Sequence, residues 1–215
     1  MLAKKLLMGL TAPTRKVTLV DNASSSSTLT TFDFGSRYIG NASAGRYIVV
    51  CVMAKSSASR TISGVTIGGS AATLATKNAA FTHCTGIYYR NVTTGTTANI
   101  TVTMSGNTDL INIVVYSIEG WSSVTLFDSG STTASASGIT RVSGIDTAAN
   151  GLAISCITVN LVGVTADFGA QEGQFVTAQI NSSCGKEWET SAATGRSIGY
   201  SHGSSDVSVS VASFS

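Results

Sequence analysis

The sequence predicts an all-β protein, an antiparallel β-sandwich of jelly-roll type with about ten strands. Short apolar segments alternate with Ser-, Thr- and Gly-rich segments along the whole chain of 215 residues. Turn residues recur at intervals of roughly 8 to 12 residues, which is typical of sandwiches and jelly rolls. No segment of ten or more residues has a helical period. These three observations together favour two packed sheets.

The first element is a short N-terminal arm at residues 1–15, ahead of a single β-sandwich domain at residues 16–215. Its apolar run is shorter than the roughly 7 to 15 residues of a signal-peptide core, so we expect no export signal. An apolar terminus that is ordered must pack against something, because free termini usually fray. We therefore expect docking to a partner, with a stray helical turn as the alternative, through Leu2, Leu6, Leu7, Met8 and Leu10.

Two early strands are expected at residues 17–20 and 32–34. The segment between them, residues 22–31, is polar and contains a run of four serines. We expect a loop or linker there, since such a run carries no apolar alternation.

The later strands are of two kinds. Segments 98–104 and 207–212 alternate apolar and polar residues, which indicates strands with one buried face. Three other segments are almost continuously apolar, which is typical of central strands covered on both faces. These segments are residues 47–53, 110–118 and 152–159.

The inventory of reactive side chains is small, and it argues against an enzyme. Only 11% of the residues are charged, against about a quarter in average domains. His83 and His202 are the two histidines, and neither lies in a pattern that indicates nucleophilic catalysis or metal ligation. No cofactor motif is present. The net charge of +2 is spread along the chain, so we expect no nucleic-acid partner. No stretch approaches the ~20 apolar residues of a membrane span.

One local group could contact a sugar. Glu187 and Glu189 flank Trp188, and strand alternation places both carboxylates on one face and the indole on the other. Aromatic rings and carboxylates are suited to stacking and hydrogen bonding with carbohydrate. A rim strand with a packed tryptophan is the alternative. Tyr88 and Tyr200 are further candidates for a stacking platform.

Several segments of the chain resemble accessory virion proteins of tailed bacteriophages, small β-sandwich or jelly-roll modules that decorate heads, collars or tail fibres. The resemblance covers roughly residues 45–215 and consists of strand and turn patterns. It is carried by Val-Thr-Ile-Gly-Gly at 65–69, Gly-Ile-Tyr-Tyr-Arg at 86–90, the segment 93–103, Ile-Val-Val-Tyr at 113–116, Ala-Asn-Gly-Leu at 149–152 and the segment 209–214.

The resemblance implies a structural virion protein without catalytic residues, assembled in the bacterial host cytoplasm and homo-oligomeric, with a trimer favoured. It would dock to capsid, collar or tail proteins through the arm. The scarcity of surface charge fits repeated association, because little desolvation is required. A carbohydrate-binding module that recognises a host-surface glycan is the alternative, and a hydrolase is the weakest hypothesis.

The cysteines divide by context. Cys51 and Cys156 lie in apolar strands and are expected to be buried. Cys84 and Cys184 lie among polar residues, and Cys184 is expected in an exposed turn. Because a virion leaves the reducing cytosol, Cys84 or Cys184 could form a disulfide late, between subunits, with free thiols as the alternative.

Overall fold

The computed structural model describes residues 14–160, 163–167, 169–176, 180–203 and 206–215. Within these ranges every helix or strand element is a β-strand, so the all-β prediction is confirmed. The strands are β1 Lys16–Ser25, β2 Leu29–Tyr38, β3 Tyr47–Lys55, β4 Ile62–Ile67, β5 Ser70–Ala71, β6 Thr73–Ala80, β7 His83–Asn91, β8 Thr97–Thr108, β9 Leu110–Glu119, β10 Leu126–Ala134, β11 Gly138–Thr147, β12 Leu152–Asn160, β13 Val164–Ala166, β14 Ala170–Val176, β15 Ile180–Trp188, β16 Ala193–His202 and β17 Val207–Phe214.

The strands form four antiparallel sheets, each built within one half of the chain. The first half, β1 to β9, has an inner sheet of order β1-β9-β3-β7-β6 and an outer sheet of order β2-β8-β4-β5. The second half, β10 to β17, has an inner sheet of order β10-β17-β12-β15-β14 and an outer sheet of order β11-β16-β13. The described residues thus form seventeen strands in four sheets, not the ten in two that we expected.

The two halves have the same strand order. Strands β10 to β13 take the places of β1 to β4, and β14 to β17 take the places of β6 to β9, so that β5 alone lacks a described counterpart. Both first strands carry the sequence Val-Thr-Leu-x-Asp, at residues 17–21 and 124–128. Each also has an irregularity in its pairing at the last three residues of that motif. The chain therefore contains an internal structural repeat.

Three apolar cores separate the four sheets. The first core lies between the outer and inner sheets of the first half, and a third core lies in the corresponding place of the second half. A middle core joins the two inner sheets and draws residues from both halves. The sheets are therefore stacked in four layers. The assignment of residues 16–215 to a single domain stays a prediction.

The apolar runs of the sequence are the strands that contact two cores. In β3, Val50 and Val52 face the first core, whereas Val49, Cys51 and Met53 face the middle core. All seven residues between Ile48 and Ala54 are buried. This confirms the prediction of central strands covered on both faces. Burying a valine or isoleucine side chain contributes about 1.5–3 kcal/mol, so these strands carry much of the stability.

The expected loop at residues 22–31 is wrong. Strand β1 continues to Ser25, and β2 begins at Leu29, so only residues 26–28 separate them. The serines of β1 are accommodated because it is an edge strand whose backbone pairs with β9 along its whole length, as far as Ser25 opposite Ile111. Backbone pairing and partial exposure thus outweigh the polar composition.

Candidate attachment site

The chain enters the body of the protein at a cluster of aromatic and basic side chains, here called the tryptophan corner: Arg15, Trp121 and Trp188. The Arg15 guanidinium lies 4.5 Å from the centroid of the Trp121 ring. The Trp121 and Trp188 rings have centroids 6.1 Å apart, at 42°. Such a cation–π contact contributes about 0.5–2 kcal/mol. The corner therefore holds residues 14 and 15 against the body.

The tryptophan corner joins the two halves. Trp121 follows β9 of the first half, whereas Trp188 ends β15 of the second. The Arg15 Nη1 donates a hydrogen bond to the carbonyl of Asn150, in the loop before β12, at 2.5 Å. A second bridge lies nearby, since Lys186 Nζ donates to the carbonyl of Val17 at 2.8 Å. Arg15 and Val17, near the start of the described chain, are thus fixed to both halves.

The backbone is tightly packed at this entry point. A Cβ atom on Gly120 would lie 2.5 Å from the carbonyl oxygen of Thr14, and the φ angle of Gly120 is +79°. A side chain at this position would therefore displace the segment from the body. Trp121 is 3% exposed, and its Nε1 has no hydrogen-bond partner among the described residues, whereas Trp188 is 37% exposed. The tryptophan corner accordingly has one buried ring, Trp121, and one ring that solvent can reach, Trp188.

The five predicted docking residues of the arm, Leu2, Leu6, Leu7, Met8 and Leu10, lie outside the described residues. Their role as partner contacts stays a prediction. The described part of the chain begins at residue 14, beside the tryptophan corner.

The predicted glycan contacts are divided between two environments. Glu187 and Glu189 both form ion pairs with Arg196 of β16, the first at 2.7 Å. Trp188 faces Trp121 instead. The alternation of the three side chains is therefore as expected, and the two carboxylates are engaged by Arg196. Their contact with a glycan, and that of Trp188, stays a prediction. Tyr88 and Tyr200 are 3% and 0% exposed, so the expectation that either is a stacking platform is wrong.

The expected exposure of Cys184 is wrong as well. All four cysteines are free and buried. Cys184 lies in β15 directly opposite Cys156, and its Sγ is 3.6 Å from the Sδ of Met53. The thiols of Cys51, Cys156 and Cys184 interact with one another in the middle core. Sequence reasoning missed this cluster, because the serines beside Cys184 are themselves buried, and the Ser182 hydroxyl is bonded to Thr158 inside the protein.

Burial suppresses the ionisation of three of the four thiols. It raises the pKa of Cys51 and of Cys184 well above the usual value, and that of Cys84 to about 12. At Cys156 burial acts in the same direction, but hydrogen bonds with Cys184 and Cys51 outweigh it and lower the pKa to about 5. The thiolate is the reactive form of cysteine, so Cys51, Cys84 and Cys184 are unreactive in the folded protein. Cys156 is 0% exposed, so a reagent in solution cannot reach it. The structure does not bring Cys84 or Cys184 to the surface, where a bond between subunits would have to form.

Both histidines are buried parts of the scaffold. His202 Nε2 lies 2.6 Å from the Thr140 hydroxyl, across the β11–β16 pair. His83 begins β7, and its Nδ1 lies 3.2 Å from the Thr82 hydroxyl. Burial and, to a lesser extent, the nearby charge of Lys55 together lower the pKa of His83 to about 4. His83 is therefore neutral at physiological pH.

Among the described residues, no three or more His, Cys, Asp or Glu side chains are arranged to hold a metal ion. The same part of the chain has no helix of the length and apolar character needed to cross a membrane. Comparison with models of known protein families finds no match, and comparison with curated protein sequences finds none either.

Proposed function

We propose that the protein is a non-enzymatic structural component of a tailed-phage virion, as a capsid-decoration, collar or tail-fibre protein. In this proposal residues 1–13 dock to another virion protein and the β-body projects from it. The proposal rests chiefly on the attachment of Arg15 to the tryptophan corner, where one side chain contacts both halves of the body.

The attachment geometry suits a role that bears mechanical load. A pull on the arm is transmitted through Arg15 to Trp121 of the first half and to Asn150 of the second. Lys186 adds a further contact between the second half and β1. Because the load is shared between two sheets, neither half would be peeled away alone.

We also propose that each half is a jelly roll. A jelly roll distributes eight strands between two packed sheets. In the first half the orders β1-β9-β3-β7 and β2-β8-β4-β5 support this assignment, with β6 as an additional strand at the edge. The second half supports it with the same order in fewer strands.

Self-association is part of the proposal, with a trimer expected from the resemblance. The exposed surface offers apolar side chains in the second half, at Phe127 and Ile139, each about half exposed. Few charges need to be desolvated when such surfaces meet. Many equal contacts in a particle would add avidity to weak pairwise binding.

Deletion of residues 1–13 tests the docking role. We expect the truncated protein to keep its unfolding temperature and to be absent from particles purified from the producing bacterium, as detected by immunoblot. In a finer test, serine replaces Leu2, Leu6, Leu7, Met8 and Leu10; the matched control carries serine at Lys4 and Lys5 and should be incorporated. Normal incorporation of the deletion variant overturns the proposal.

A further inference from the structure

The outer sheet of the first half carries a groove on its exposed face. A concavity of about 520 Å³ is lined by backbone and short side chains. It continues into a second concavity of about 420 Å³, and the two share Gly68, Thr97 and Ala98. The floor and walls of the larger one are formed by Ser36, Gly68, Gly69, Thr97, Asn99 and Thr101.

Strand pairing determines which groups face the groove. Ser36 of β2 lies opposite Asn99 of β8, and Tyr38 lies opposite Thr97. Directly opposite residues of an antiparallel pair project to the same face. Ala98 and Ile100 of β8 point the other way, into the first core. The groove is therefore a row of hydroxyl and amide groups, and Tyr38, which is 44% exposed, lies beside it.

The internal repeat shows which residues of the second half occupy the positions that line the groove in the first half. In the first half the Gly68 N–H donates to the carbonyl of Asn99. In the second half the Asp167 N–H donates to the carbonyl of Gly199 in the same place. Gly68 thus corresponds to Asp167, and Asn99 corresponds to Gly199. By the same register, Ser36 corresponds to Arg141, which lies opposite Gly199.

In the second half these positions are filled by an ion pair. Arg141 Nε lies 2.5 Å from an oxygen of the Asp167 carboxylate. The other oxygen of Asp167 accepts a hydrogen bond from the Gly199 N–H at 2.9 Å. One half of the repeat thus closes this place with two large charged groups, whereas the other half leaves it open with serine and glycine.

We propose that the groove of the first half binds a neutral oligosaccharide. The larger concavity has no charged side chain in its described lining, so nothing in it favours an anionic ligand. Hydroxyl and amide groups in a row match the alternating donors and acceptors of a sugar chain. The exposed ring of Tyr38 supplies an apolar face for a pyranose ring. The inference does not depend on the virion role.

The lining also favours a sugar over a peptide as the ligand. A peptide is usually held by apolar pockets for its side chains or by an unpaired strand edge. Here β8 is an interior strand between β2 and β4, and the one apolar residue in the described lining of the larger concavity, Ala98, points its side chain into the first core. The guanidinium in the second concavity, that of Arg90, donates a hydrogen bond to the carbonyl of Ile67 at 2.5 Å.

The test is an NMR titration of the full-length, isotope-labelled protein with three probes: cellohexaose, chitohexaose and isomaltohexaose. We expect at least one probe to shift the backbone amides of Gly68, Gly69, Thr97 and Asn99. No shift with any of the three, or shifts centred on Trp188 instead, overturns the proposal.

Variants that introduce residues of the second half into the first make the test more specific. The double variant Ser36→Arg/Gly68→Asp builds the ion pair of the second half into the groove, and aspartate tolerates the positive φ of position 68. We expect it to abolish binding. Thr101→Ala should weaken binding roughly tenfold, as expected for one lost hydrogen bond. Its matched control, Ser201→Ala at the corresponding position of β16, should leave binding unchanged. Undiminished binding by the double variant overturns the proposal.

Discussion

The carboxylate of Asp128 accepts a hydrogen bond from the backbone N–H of Asp146 at 2.8 Å, which joins β10 of the second inner sheet to the end of β11 in the outer sheet. Asp21 makes the equivalent bond in the first half, from the N–H of Tyr38, also at 2.8 Å. In both carboxylates the other oxygen accepts from the next residue, at 2.7 Å. In each half, one aspartate thus links the first strand of the inner sheet to the outer sheet.

Removal of either carboxylate should destabilise the protein by a similar amount. Asp128→Ala leaves two backbone N–H groups without their acceptor, and hydrogen bonds to charged groups contribute about 1.5–3 kcal/mol. We expect a loss of roughly 2 kcal/mol in the free energy of unfolding, measured by urea denaturation, and a similar loss for Asp21→Ala. Asp33→Ala is the matched control, since the one described hydrogen bond to its carboxylate comes from Gly35, two residues along in the irregularly paired part of β2. An effect of the control equal to that of Asp128→Ala contradicts the expectation.

The same aspartates show how far the sequence leads. The strand content and the central strands are predictable, because apolar runs such as that of β3 have no other stable location. The repeat is visible in the printed sequence as Val-Thr-Leu-x-Asp at 17–21 and 124–128, yet five residues in 215 are too few to predict two halves. The equivalence of the two halves becomes clear only in the structure, where both motifs have the same irregular strand pairing.

The candidate sites were predictable only in part. Alternation correctly separated Glu187 and Glu189 from Trp188, since it depends on the strand alone. Their partner, Arg196, is supplied by a different sheet, and no local pattern indicates it. The groove is likewise a product of register, because Ser36 and Asn99 are far apart in sequence and meet only through the β2–β8 pair.

Buried hydroxyl groups between the two inner sheets provide a second prediction. The Thr85 hydroxyl lies 2.9 Å from the hydroxyls of both Ser208 and Ser210. Thr85→Val keeps the shape of the side chain but removes the group that both serines contact. We expect a loss of about 1–3 kcal/mol in the free energy of unfolding, the cost of unpaired buried polar groups.

The triple variant Thr85→Val/Ser208→Ala/Ser210→Ala separates pairing from packing. Replacing all members of a buried hydrogen-bonded set by apolar groups can be nearly neutral. We therefore expect the triple variant to recover most of the stability lost in Thr85→Val. A triple variant less stable than the single variant contradicts this account of the interface.

The buried thiols predict slow chemical modification. Cys84 is 1% exposed and the other three cysteines are 0% exposed, and burial raises the pKa of Cys84 to about 12. We expect no reaction of the native protein with an aromatic disulfide reagent on the timescale of minutes, and reaction of all four thiols in denaturant. Ser137→Cys, in an exposed loop, is the positive control and should react at once. Rapid modification of native wild-type protein contradicts the burial of the thiols, whereas slower-migrating species on a non-reducing gel support the late disulfide.

His83 predicts a specific loss of stability in acid. Its folded pKa of about 4 lies below the ordinary value of 6.5, because burial disfavours the charged ring, as does Lys55, and this outweighs Asp206 and Asn160. Between these two values the unfolded chain binds a proton that the folded protein does not, so stability falls as the pH falls through this window. Near pH 4.5 the contribution amounts to roughly 2–3 kcal/mol.

His83→Gln removes the titrating group. Urea denaturation of both proteins near pH 7 and near pH 4.5 should therefore show a loss of stability in acid that is smaller in the variant by about that amount. Carboxylates affect both proteins equally and cancel in this difference. Equal losses in the two proteins would show that His83 becomes protonated without cost, contrary to its burial at the start of β7.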